Sequence, residues 1–163
     1  MIVLGIDTSL RSTGYGVISV EGSRMSNLDC GNIRNPPALS LTQCLKAIHS
    51  RVKELIEKYH PDEMAIESVI YGKNAGTMLL LGEARGAVLT AAADAGLPVY
   101  EYEPRRMKRA VTGNALAEKA QVQRMVKTLL SLEELPQNDA ADALGLAIVH
   151  INSRSLISKE KPI

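Results

Sequence analysis

The amino-acid sequence predicts one α/β domain on a mixed five-stranded sheet flanked by helices. Three short apolar runs with turn residues between them fill the first 33 residues, the spacing of an antiparallel meander. Two later apolar runs each follow a long helical pattern, the way crossover strands are joined. A chain of 163 residues that is 45% hydrophobic and 23% charged is an ordinary single globular domain.

The elements follow in order. Ile2–Asp7 is the first strand, and Tyr15–Val20 follows a Ser/Thr/Gly turn. Met25–Ile33 comes after the turn Glu21-Gly22-Ser23, and Asn35-Pro36-Pro37 breaks the pattern. A helix starts near Ser40, where Ser40 and Gln43 have capping-box spacing. Leu41, Leu45, Ile48, Val52, Leu55, Ile56 and Tyr59 form its apolar stripe. His60-Pro61-Asp62 stops it, and Met64–Ile70 reads as a buried strand. Asn74–Ala95 is a second helix, ended by Gly96. Val99–Tyr102 is the fifth strand. Helical patterns then run from Arg105 to Val111, Ala117 to Leu132 and Asn138 to Ser153. Residues 1–153 are read as one domain and 154–163 as a polar, frayed tail.

Composition removes several function classes. Nineteen basic and 18 acidic residues leave a net charge of +1, so any polyanion site must come from local clustering. Cys30 and Cys44 lie outside any metal-binding or disulfide spacing and read as reduced thiols. Neither a signal peptide nor a membrane span is expected, which points to a cytoplasmic protein. With five Tyr and no Trp or Phe, the core is aliphatic.

Four carboxylates lie at the edges of apolar elements. Asp7 ends the first strand, Glu67 sits inside the fourth strand pattern, and Asp139 and Asp142 share a helix face at i, i+3. Acids in apolar strands pay a desolvation cost unless paired or metal-bound, and oxygen-only clusters suit Mg²⁺ or Mn²⁺. Singly, Asp7 reads equally as a turn cap, and Asp139 as an acid favoured by the dipole of a helix first turn. Glu67 is harder to explain structurally, because no nearby Lys is in register with it.

Basic residues cluster locally. From Glu101 to Leu130 there are seven, Arg105, Arg106, Lys108, Arg109, Lys119, Arg124 and Lys127, against three acids, Glu101, Glu103 and Glu118. Such a cluster neutralises phosphates without reading bases. The helix from Asn74 is apolar nearly all round at Met78-Leu79-Leu80-Leu81, with Gly82 and Gly86 one turn apart. By itself it reads as a helix buried within the monomer, with the two glycines permitting close helix packing.

Taken together, these stretches resemble the RuvC family of bacterial Holliday junction resolvases, in the ribonuclease H-like superfamily. The matching segments are Gly5-Ile6-Asp7 with Thr13-Gly14-Tyr15-Gly16-Val17-Ile18, Ala65-Ile66-Glu67, Gly72-Lys73-Asn74-Ala75 and Leu81-Gly82-Glu83-Ala84-Arg85-Gly86. Glu118-Lys119-Ala120-Gln121-Val122 and Asp139-Ala140-Ala141-Asp142-Ala143-Leu144 complete them. The resemblance implies a ribonuclease H-like fold and a Mg²⁺-dependent endodeoxyribonuclease that nicks four-way junctions in symmetric pairs, leaving 5′-phosphate and 3′-hydroxyl ends, in recombination and repair. Asp7, Glu67, Asp139 and Asp142 would be the metal ligands, with two ions per site and Mn²⁺ as a substitute, and Lys108 and Lys119 would steady transition-state charge. Arg11, Ile70, Tyr71, Lys73, Asn74, Arg105, Arg106, Lys108, Arg109 and Lys119 would contact DNA. A homodimer, RuvA and RuvB are the implied partners, in a cytoplasmic, nucleoid-associated setting.

Three segments depart from the family pattern. Thr8-Ser9 replaces Pro-Gly, Ile70 replaces a usual Phe, and Gly113-Asn114-Ala115 replaces Gly-x-Gly. The change at Ile70 keeps a non-catalytic junction-binding protein open as an alternative. A ribonuclease H-like nuclease acting on another nucleic acid is a further one.

Overall fold

The computed structural model describes residues 1–69, 74–157 and 161–163, with 155–157 described by backbone only. The expected DNA contacts Ile70, Tyr71 and Lys73 lie outside the described residues, as does the part of the strand expected beyond Val69. Three strands open the chain, β1 (Ile2–Asp7), β2 (Ser12–Glu21) and β3 (Arg24–Arg34). Helix α1 (Leu41–Tyr59) leads to β4 (Glu63–Glu67), and α2 (Ala75–Asp94) leads to β5 (Val99–Tyr102). Helices α3 (Pro104–Thr112), α4 (Lys119–Leu129) and α5 (Asn138–Ile157) complete it.

The sheet order is β3-β2-β1-β4-β5. β1, β2 and β3 pair antiparallel, whereas β1, β4 and β5 run parallel, so this is the mixed five-stranded α/β sheet that the sequence predicts. The capping box at α1 forms as expected: Ser40 Oγ accepts from the Gln43 backbone N–H, and the Gln43 side chain accepts from the Ser40 N–H.

Alternation along the strands sorts their residues into two cores. Leu4, Ile6, Tyr15, Val17, Met64 and Ile66 face α1 and α2. Val3, Ile18 and Ala65 face α3, α4 and α5. That second face carries the odd positions of β1 and β4, and therefore Asp7 and Glu67.

Several boundaries differ from expectation. β4 stops at Glu67, so Glu67 is a strand-end residue and not a mid-strand one; the chain leaves the sheet there and its side chain is only partly covered. α4 ends at Leu129 and not Leu132, because Leu130 to Leu132 form a closing turn in which Ser131 takes a positive φ. α5 runs on to Ile157, past the expected end at Ser153, and Arg154 there stands 3.7 Å from Glu63. α2 is buried only along Ala84, Val88, Ala91 and Ala92. Its first half is open, with Leu79 64% and Leu80 41% exposed, so a fully buried helix is excluded. Cys44 is buried, Cys30 half-buried, and both are free. Among the described residues, no helix is long and apolar enough to cross a membrane.

Candidate active site

Strand register begins the site. Ile6 pairs with Ile66 across the parallel β1–β4 ladder, so Asp7 and Glu67 leave adjacent strand ends on the same face. Across the antiparallel ladder Asp7 pairs with Gly14. A Cβ at Gly14 would stand 2.0 Å from the Asp139 carbonyl oxygen, and one at Gly5 would stand 1.9 Å from that of Ala143. The bare backbone at these two positions lets the start of α5 lie directly on β1 and β2. Asp139, in the first turn of α5, and Asp142, three residues on, thereby reach the carboxyl ends of β1 and β4.

The electrostatics show how close these groups are. Burial pushes the Asp7 carboxyl from an ordinary 3.8 to about 8, with further upward pressure from Glu67, Asp142 and Asp139. Glu67 is raised by burial and by Asp142. Asp142 is raised by burial and, more weakly, by Asp139. Lys119, the first residue of α4, opposes the shift at all three, and Lys108 on α3 opposes it at Glu67 and Asp142. The four carboxylates and two lysines singled out in the sequence therefore occupy one electrostatic site.

The donor set is all oxygen and carries more negative charge than two lysines offset, which is the chemistry of a hard divalent cation. Among the described residues, no three His, Cys, Asp or Glu side chains are close enough to hold an ion alone.

Neighbouring residues hold the carboxylates in place. Ser12 Oγ donates to Asp139 Oδ2 at 2.6 Å, and Asn32 Nδ2 donates to the same oxygen at 2.8 Å. Arg85 of α2 donates to the Glu67 carbonyl at 2.8 Å and pairs with Glu101 of β5. Sequence reasoning missed Ser12 and Asn32 and saw Arg85 only as part of a motif. The alternation of β2 and β3 puts Ser12, Gly14 and Asn32 on the α5 face, a signal available only once register is known.

The remaining candidates have separate surroundings. Arg11 is tied to the loop before α1, its Nη1 donating to Pro36 and Leu39 carbonyls at 2.9 and 3.2 Å. Asn74 caps α2, its Oδ1 accepting from the Thr77 N–H at 3.1 Å. Arg106 turns inward, with its guanidinium 5.0 Å from the Tyr102 ring centre and donating to Ser153 Oγ at 3.2 Å. Arg105 and Arg109 are exposed on the same helix.

At the departures from the family pattern, Thr13 Oγ1 donates to the Ser9 carbonyl at 2.6 Å and accepts from the Ser9 N–H at 3.3 Å, closing the turn after Asp7. Gly113 takes φ 78° at the end of α3.

Comparison with known proteins shows the family and the fold. Residues 3–150 match the family crossover junction endodeoxyribonuclease RuvC. Proteins of that name from Citrifermentans bemidjiense and Teredinibacter turnerae are 47% and 48% identical, over 96% and 94% of this chain and 95% and 89% of their own. Among solved structures, RuvC of Thermus thermophilus is 34% identical with a TM-score of 0.88, over the full length of both chains. The same organism's RuvC in complex with a Holliday junction substrate gives 32% and 0.89, again over both full lengths. Sequence match, fold and the clustered carboxylates agree, and the chain belongs to the RuvC family of crossover junction endodeoxyribonucleases.

Proposed function

We propose that this chain is a Holliday junction resolvase, a DNA endonuclease that hydrolyses phosphodiesters in four-way junctions with the help of Mg²⁺. The observation that carries the chemistry is the convergence of Asp7, Glu67, Asp139 and Asp142 beside Lys108 and Lys119, with Asp7 held at about 8. Bound divalent ions would supply the charge that activates water and stabilises the leaving oxygen. Asp7 and Glu67, fixed at adjacent strand ends, would hold those ions on a rigid edge, and Asp142 and Asp139 would close the site from α5. Lys108 and Lys119 offset the carboxylate charge and would attract the phosphate backbone. Arg105 and Arg109, exposed on α3, extend the positive surface along which junction arms would lie, with Arg106 behind them. Arg11, Asn74, Ile70, Tyr71 and Lys73 complete the proposed DNA contacts.

A homodimer built on α2 fits this reading. Leu79 and Leu80 are exposed at 64% and 41%, and Gly82 and Gly86 have nothing within 4 Å of a built Cβ. A two-fold pair would present two sites to a two-fold substrate and nick symmetric strands, leaving 5′-phosphate and 3′-hydroxyl ends. The family resemblance adds RuvA and RuvB as partners, a nucleoid-associated setting, and Mn²⁺ as a substitute metal.

The test is cleavage of a four-way junction against linear duplex of the same arms, in Mg²⁺ or EDTA, with a binding gel on the same samples. Paired, metal-dependent nicks are expected in wild type. Asp7→Asn should cut at least about 100-fold more slowly while retaining junction binding. Tight junction binding by wild type without cutting in Mg²⁺ or Mn²⁺ would replace the nuclease reading by a non-catalytic binder.

A further inference from the structure

Asp139 differs from the other site carboxylates in being held by side chains of the sheet. The Ser12 hydroxyl donates to Asp139 Oδ2 at 2.6 Å and accepts from Asn32 Nδ2 at 2.8 Å, while Asn32 Nδ2 also donates to Oδ2 at 2.8 Å. The three side chains close a triangle. An ionised carboxylate only accepts, so the amide nitrogen of Asn32 must be the group that faces it, and both amide hydrogens are then used. The Asn32 carbonyl oxygen is left buried without a partner among the described residues, so the amide orientation is set by Asp139 and Ser12.

The triangle forms because β2 and β3 are in register. Gly14 pairs with Asn32, and its missing side chain lets the α5 backbone at Asp139 lie directly on this part of the sheet. Ser12 comes from the same face of β2, two residues before Gly14. Residues 107 and 127 positions distant in the chain thus converge on one oxygen.

We propose that Ser12 and Asn32 are positioning residues for Asp139, locking Oδ2 so that Oδ1 is presented to the divalent cation. The terminal torsion of an aspartate is broad, and the start of a helix does not fix it. Two donors on one oxygen do, and β2 and β3, in the same sheet as the strand that carries Asp7, supply them. Hydrogen-bonded partners of metal ligands are worth 10- to 100-fold in metal affinity, on the order seen for outer-shell groups generally. The inference rests on the proposed role of Asp139 as a metal ligand.

Ser12→Val and Ser12→Thr form the main test, since their side chains share a shape and differ in the hydroxyl. Asn32→Leu removes the amide separately, and Asp139→Asn tests the ligand itself. Each is compared with wild type for Mn²⁺ affinity by calorimetry, for the Mg²⁺ concentration giving half-maximal junction cleavage, and for junction affinity in EDTA. Ser12→Val and Asn32→Leu should weaken Mn²⁺ binding and raise the Mg²⁺ requirement roughly tenfold or more. Ser12→Thr should stay near wild type, and junction affinity in EDTA should not change. Thermal unfolding in EDTA checks that each variant folds; if Ser12→Val does not, Asn32→Leu decides alone. Wild-type or tighter Mn²⁺ binding in the folded variants would overturn the positioning role. Unchanged Mn²⁺ binding in Asp139→Asn would overturn the ligand role on which it rests.

Discussion

A carboxyl held at about 8 loads the folded state with free energy that function, not stability, requires. Asp7 in an unfolded chain releases its proton near the ordinary 3.8, whereas in the fold it keeps the proton to about 8. Between those values the folded state binds more protons, so its stability falls as pH rises across that window and the full cost is present above it. Asp7→Asn should therefore unfold at a higher temperature than wild type at about pH 8.5 in EDTA, by a difference of a few kcal/mol. The gap should close as the pH approaches 4. Added Mg²⁺ should narrow it at high pH, because a cation favours the ionised form that only wild type has. Thermal unfolding across pH, with and without Mg²⁺, measures all of this. A gain that is the same at low and high pH would mean that charge at Asp7 is not its source.

Among the elements, α5 and β4 position the chemistry. α5 sits on the sheet through the bare backbones of Gly5 and Gly14, where a Cβ would meet backbone at 1.9 and 2.0 Å. Backbone cannot swing aside as a side-chain tip does, so Gly14→Ala should cost at least about 2 kcal/mol and lift the start of α5. That corresponds to a fall in Tm of roughly 4–8 °C for a chain of this size. Cleavage should fall further than stability explains, because Asp139 and Asp142 move with the helix; assays well below the unfolding temperature separate the two effects. On β4, the Arg85 guanidinium ties the Glu67 carbonyl to Glu101 on the neighbouring strand. Arg85→Met keeps the buried stem and loses both links. It should lower the cleavage rate about tenfold at saturating Mg²⁺ while leaving junction binding in EDTA intact. An unchanged rate would show that the β4 end is held without it.

For the molecule as a whole, the open half of α2 matters most. Leu79 and Leu80 form an exposed apolar pair on the helix that carries Arg85, so a partner packed there would also steady the Glu67 end of β4. Leu79→Glu should convert the proposed dimer to monomer in sedimentation experiments and replace paired nicks by single ones. Persistence of the dimer would move the interface elsewhere.

The sequence alone determined the fold class, because strand and helix periodicity and crossover spacing are local properties of the chain. It also singled out the four carboxylates as candidates, by their place beside apolar runs and by the family motifs that they fall in. Seeing Glu67 as mid-strand was an error of boundary: apolar residues continue past it, and hydrogen-bonded pairing, not composition, ends a strand. What only the tertiary structure decided is which groups hold those carboxylates. Ser12, Gly14 and Asn32 are unremarkable in sequence and meet Asp139 through strand register and the seating of α5, across more than a hundred residues. The same holds for Asp7, whose charge is evident from the sequence but whose raised pKa arises from burial among acids brought from two other parts of the chain.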